Sequence, residues 1–375
     1  MRKGPHPLPV HLGLIAANMK GIEQYTKCFD ARLEQDDAVQ VVRGIQMYQK
    51  HPHVRTEPEY DLIWQDGTTS IKGIKEEPTK PLSSEYPLLL VPSLINKAHI
   101  LDICAQKSML RWFNERGIKA YLFDWGDLSQ DTESHDIDIE HIIKSKLSVA
   151  IRHVSKMHGK EVDVLGYCMG GTLLLGANMY ASVQIRRMVL LATPWDFHEP
   201  SSTLARNVRL WSPYAVDTIE KNKTLPAEWV QTLFASLDVK GSAQKFMRFA
   251  TMDQGSSEAK LFVLVEDWLN DGVDLPAPIA QHCIQKWFAG NVLVKNEWRI
   301  GNDLFNPNDV KSSIFLIASE KDQLVPYDCA LNVKGNLVNA QVDVKKLQCG
   351  HIGLIVGRNA QKQVWEPIAE WLAKK

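Results

Sequence analysis

Short strand-like stretches recur along the chain, separated by polar or turn-forming residues. They are Pro87 to Val91, Lys119 to Phe123, Val162 to Leu165, Met188 to Ala192, Ser313 to Ala318 and Val342 to Leu347. The first, Pro87 to Val91, is a continuous apolar run of the kind that suits a central strand covered on both faces. Between them lie stretches with helical spacing: Ile103 to Arg116 ending at Gly117, Ile139 to His158 ending at Gly159, Met169 to Ser182, and Ala360 to Ala373. Strand–helix repetition predicts an α/β fold with a mostly parallel sheet and helices on both faces. Leu62 to Trp64 and Ser70 to Ile74 flank Asp66-Gly67 and predict a β-hairpin.

The rhythm breaks over residues 199–307. This block holds Trp211, Trp229, Trp268, Trp287 and Trp298 in mostly helical patterns. It is expected to be a helical cap inserted between two core strands, a candidate lid whose tryptophans chiefly form its own interior. Residues 1–58, with an amphipathic stretch at Gln35 to Tyr48, are expected to be a mostly helical extension. The expected organisation is thus an extension over 1–58, core over 59–198, cap over 199–307 and core again over 308–375.

Composition narrows the function classes. The 375 residues are 45% hydrophobic and 23% charged, so the chain is globular rather than disordered. Lys and Arg number 43 against 44 Asp and Glu; the net charge of −1 lacks the basic surplus of a nucleic-acid binder. No run approaches the ~18 apolar residues of a membrane span, and the N-terminus carries no secretory signal pattern, so the expected compartment is the cytoplasm. Cys28, Cys104, Cys168, Cys283, Cys329 and Cys349 form no C-x-x-C pair, so no zinc ribbon or dithiol motif is expected. The segment Asp131 to His141 collects acids and two histidines, but shows no ligand set of fixed geometry. It reads as a solvated loop feeding acids to a helix N-terminus. No metal and no cofactor is expected.

The strongest chemical signal is Gly166-Tyr167-Cys168-Met169-Gly170-Gly171, which follows a strand and opens a helix. That is the setting of a nucleophile elbow, with cysteine as nucleophile, and it points to an α/β-hydrolase fold. The alternative is a structural cysteine beside a glycine-rich turn. The elbow demands an acid after a later strand and a histidine after the last one. Asp322 follows the 313–318 run, and His351 follows the 342–347 run between Gly350 and Gly353. Glu320 is a rival acid, and His99 and His198 are rival histidines. The cap is then inserted before the strand carrying the candidate Asp. The N–H of Met169 is expected to supply half of an oxyanion hole, and the N–H of Leu94, in the loop after Val91, the other half.

Two strings, Val91 to Lys97 continuing through Ile100-Leu101-Asp102 to Ser108 and Trp112-Phe113, and Gly166 to Thr172, resemble the polyhydroxyalkanoate synthases. Asp322 to Pro326 and Gly350 to Gly353 look most like the catalytic subunit of the two-subunit (class III) synthases. Gln323, Ser93 and Thr193 to Phe197 depart from the usual pattern of that family and leave the three candidate residues intact. The resemblance implies an acyltransferase that polymerises (R)-3-hydroxyacyl-CoA into polyester with release of CoA. Cys168 would be the nucleophile, His351 the general base and Asp322 its partner. It also implies a growing polyester chain or granule surface as a partner, and admits a companion synthase subunit and a homodimer. The alternatives are a thioesterase or a polyester or lactone hydrolase with the same triad, or a non-catalytic granule-binding protein with a relic site.

Overall fold

The computed structural model describes residues 2–17, 35–75, 83–131 and 137–374. The chain forms two compact units: residues 1–57 with 226–272, and residues 58–225 with 273–375. The larger unit is built on an eight-stranded sheet. Its strands are β1 (Tyr60–Asp66), β2 (Thr69–Ile74), β3 (Leu88–Val91), β4 (Ala120–Asp124), β5 (Val162–Tyr167), β6 (Ile185–Leu191), β7 (Ser313–Ser319) and β8 (Val342–Leu347). Their spatial order is β1-β2-β4-β3-β5-β6-β7-β8. The β1–β2 hairpin turns at Gly67, whose φ of 58° falls in the left-handed region. The β2–β4 pair is antiparallel, and every later pairing is parallel.

The central strands earn their place by burial. All four residues of β3 and all six of β5 are buried. Removing each large apolar side chain from water contributes about 1.5–3 kcal/mol. Asp163 is the exception in β5: it is fully buried, and Arg186 grips both of its oxygens at 2.8 and 2.6 Å. A charge without such a partner would be untenable there.

The helices differ from the sequence expectations in register rather than in place. The 103–116 stretch becomes a short 3₁₀ turn at Ala105–Lys107 and an α-helix over Met109–Glu115. The break falls at Ser108, whose Oγ caps the helix by accepting from the Arg111 N–H at 2.9 Å. The 139–158 stretch is continuous but passes through a π-helical segment at Ile142–Leu147 before ending at Gly159 in a left-handed cap. The Met169–Ala181 helix runs directly out of β5.

The expected boundaries at 199 and 307 also differ from the observed ones. The Thr203–Asn222 helix and residues 273–307 group with the sheet, and only 226–272 group with the N-terminal residues. The reason is visible in the tryptophans. Trp287 and Trp298 are fully buried in one aromatic cluster with Phe305, and Phe305 in turn contacts Trp195 beyond β6. Trp268 is buried in the smaller unit, whereas Trp211 is half exposed.

The smaller unit has its own apolar interior. Ala38, Val41, Ile45 and Tyr48 of the Gln35–Lys50 helix pack on Phe246, Phe249, Ala259 and Val263. The helix approaches so closely at Gly44 that a Cβ there would lie 2.0 Å from the Phe246 carbonyl oxygen. Cys28 and residues 132–136 of the acidic segment lie outside the described residues. Of that segment, Asp138 caps the Ile139–His141 turn, and Asp131 pairs with the buried Lys146 at 3.1 Å.

Candidate active site

Three loops at the carboxyl ends of β5, β7 and β8 converge on one place. After β5 the chain turns sharply at Cys168, with φ 56° and ψ −128°, and enters the Met169–Ala181 helix. A cysteine at positive φ is strained, and such strain persists only where the surroundings impose it. Here they do: the Cys168 N–H donates to the Leu191 carbonyl at 2.9 Å, and the Gly171 N–H donates to the Cys168 carbonyl at 3.0 Å. The glycines are obligatory. A Cβ on Gly166 would sit 2.3 Å from the Gly171 Cα, and one on Gly170 would sit 2.4 and 2.6 Å from the Val91 and Pro92 carbonyl oxygens.

That last approach also brings the loop after β3 against the elbow. The same Pro92 carbonyl accepts the Trp125 indole N–H at 3.0 Å. Met169 opens the helix, so its N–H belongs to the first turn, where no intrahelical acceptor exists. Leu94 lies buried in the adjoining loop.

Asp322 follows β7 and is buried. Its Oδ1 accepts the N–H groups of Leu324 and Val325, both at 2.9 Å, which leaves Oδ2 aimed at His351 Nδ1, 2.6 Å away. Glu320 is turned outward, where Lys346 and Gln348 engage it and hold its carboxyl below the usual range. His198 is exposed and meets the Phe288 and Ala289 carbonyls, and His99 sits in the Ala98–Leu101 turn. The structure therefore brings Asp322, His351 and Cys168 together, and places Glu320 and His198 in other contacts.

The electrostatics of His351 follow from this packing. Burial disfavours its charged form. The Asp322 carboxylate, the charge of Cys168 and hydrogen bonds to both side chains outweigh burial and push the imidazole up to about 10. An imidazole held between a carboxylate and a thiol in this way can shuttle a proton to and from sulfur. Two features were not evident from the residues alone. Ser319 clamps the histidine loop, accepting from the Cys349 N–H at 2.8 Å and donating to its carbonyl at 2.5 Å. Tyr167 stacks on His351, with ring centroids 5.0 Å apart. Tyr167 lies inside the elbow string, but its partner is 184 positions away, so no local pattern could name it.

Comparison with known proteins agrees with the sequence resemblance. The family model described as "Poly-beta-hydroxybutyrate polymerase (PhaC) N-terminus" matches residues 62–113. A "Poly(3-hydroxyalkanoate) polymerase subunit PhaC" of Haloferax mediterranei is 26% identical over 298 residues, 78% of this chain and 59% of that protein. The protein of the same description from Haloarcula marismortui is 23% identical, covering 95% of this chain and 74% of its own length. That from Allochromatium vinosum is 26% identical, covering 79% and 82%. Among solved structures, a monoacylglycerol lipase of Paleococcus ferrophilus overlays with a TM-score of 0.50 at 12% identity, covering 82% of this chain and 99% of that one. That likeness concerns the fold alone, and the fold is that of the α/β-hydrolases. Among the described residues, no helix is long and apolar enough to cross a membrane.

Proposed function

We propose that this chain, similar over most of its length to the poly(3-hydroxyalkanoate) polymerases, is a polyhydroxyalkanoate synthase working through a Cys168 acyl-enzyme. The observation that carries the reading is the linked set of Asp322, His351 and Cys168 at an elbow, in a chain with those relatives. The substrate class is (R)-3-hydroxyacyl-CoA, and the product is a polyester.

The chemistry follows from the residues. His351 takes the thiol proton, and the sulfur attacks the thioester carbonyl. The oxyanion is met by the N–H groups of Met169 and Leu94. The carbonyl re-forms, the C–S bond to CoA breaks, and CoA leaves as a thiol with the proton from His351. One thioester has replaced another, so the step is nearly isoenergetic. His351 then takes the proton of an incoming 3-hydroxyl group. Its oxygen attacks the acyl-enzyme, an ester forms, and the Cys168 sulfur is released. Asp322 holds the imidazole tautomer and balances the imidazolium. Relatives named as polymerase subunits support a companion subunit as partner, and an insoluble product supports the granule surface as the place of work.

The test uses the full chain with (R)-3-hydroxybutyryl-CoA, with and without cell extract, following CoA release, product solubility and the mass of the Cys168 peptide. Insoluble polyester with an acyl adduct on Cys168 is expected. Free 3-hydroxy acid in place of polymer would assign the site to a hydrolase. Unchanged CoA release by Cys168→Ala would remove the thiol from the mechanism.

A further inference from the structure

We infer that Tyr167 is a positioning residue of this site: its ring carries the His351 imidazole and its hydroxyl holds the His351 main chain, which keeps the imidazole aimed at Cys168. The inference rests on the acyl-transfer reading for what the site does, but not for its geometry.

Tyr167 is the last residue of β5 and is almost wholly buried. Its ring lies 5.0 Å from the His351 ring at an interplanar angle of 29°, a stacked pair. Its hydroxyl donates to the His351 carbonyl at 3.3 Å, an oxygen that also accepts from the Leu354 N–H at 3.3 Å. The histidine sits in a loop beyond the end of β8, without the support of a strand ladder. Ser319 fixes that loop at Cys349. Tyr167 fixes it again at the histidine itself, from the strand that presents the nucleophile. One side chain thus couples the sulfur's own backbone to the base that serves it.

The groups around the phenol settle the kind of role it plays. Burial, then the charges of Cys168, Asp322 and Cys349, hold it well above its ordinary value. It stays an O–H donor throughout the working range and gives up no proton, so it acts by placement. A stacked aromatic face also favours the imidazolium over the neutral ring.

Tyr167→Phe keeps the ring and removes the hydroxyl; Tyr167→Leu removes both. Two readouts are needed. In CoA release from the hydroxyacyl thioester, Tyr167→Phe is expected to lower kcat about 10-fold and Tyr167→Leu about 100-fold, with KM changing less than about two-fold, because a misplacement of ~1 Å costs that much in rate. In alkylation of Cys168 by iodoacetamide, which needs no acyl substrate, both variants are expected to label more slowly than wild type at neutral pH. The gap should close above pH ~8.5, where a thiol ionises unaided. A purely structural tyrosine would lower the melting temperature and leave that pH-dependent gap absent. Wild-type kcat and a wild-type labelling profile in Tyr167→Phe would overturn the inference, and that variant decides alone if Tyr167→Leu fails to fold. Should wild type release no CoA, the acyl-transfer reading fails while the labelling profiles still judge Tyr167.

Discussion

At His351 two opposing forces meet, and the balance between them can be measured. Burial works against the imidazolium, while Asp322 and Cys168 work for it and prevail. The folded-state value of about 10 lies above the ordinary 6.5. The stabilisation is therefore complete below pH ~6.5 and is lost as pH rises through about 10. Asp322→Asn keeps an acceptor for the Leu324 and Val325 N–H groups but removes the charge. It is expected to reduce the alkaline loss of stability in urea melts compared between pH 6 and pH 10, and to lower CoA release by about 10²–10⁴-fold. Equal alkaline loss in variant and wild type would show that the carboxylate does not sustain the imidazolium. In the sequence Glu320 and Asp322 are rival acids two positions apart in one loop. What separates them in space is the pair of backbone N–H groups that turns one carboxylate inward, against the lysine that draws the other out.

At the scale of elements, apolar pattern and turn chemistry placed most segments, and local hydrogen bonds adjusted their ends. Ser108 shortens the expected 103–116 helix because its side chain caps at 108 what apolar spacing alone would begin five residues earlier. Asp163 interrupts an apolar strand without breaking it, because Arg186 on the neighbouring strand meets it. The π-helical His282–Ala289 segment hides a titration that no pattern shows. His282 Nε2 accepts the Trp298 indole N–H at 3.1 Å, so the ring must be neutral there. Burial, with the charge of Lys286, lowers it to about 4. A folded value below the unfolded one means full stability above pH ~6.5 and loss as pH falls through about 4. His282→Gln, neutral at all pH and still able to accept, should show a smaller drop in melting temperature between pH 7 and pH 4.5 than wild type. An identical acid drop would place the acid sensitivity elsewhere.

For the whole molecule, the unexpected result is the partition of the chain. The N-terminal residues and the 226–272 segment share one apolar interior, although 168 residues of the other unit separate them. Removing residues 2–50 strips Phe246, Phe249 and Val263 of the helix that covers them. Hydrogen exchange of such a truncated chain should then show lost protection across 226–272, with the β5 and β6 amides still protected. Retained protection in 239–270 would mean that those helices need no N-terminal partner. Local periodicity and short strings were enough to read the order of strands and helices, the sharp turn at Cys168, and the chain order of Cys168, Asp322 and His351. Tertiary structure alone decided the partition into units, the inward turn of Asp322, the clamp at Ser319 and the stacking of Tyr167 on His351. Those depend on contacts between residues far apart in the chain, and one sequence carries no record of which distant side chains will meet.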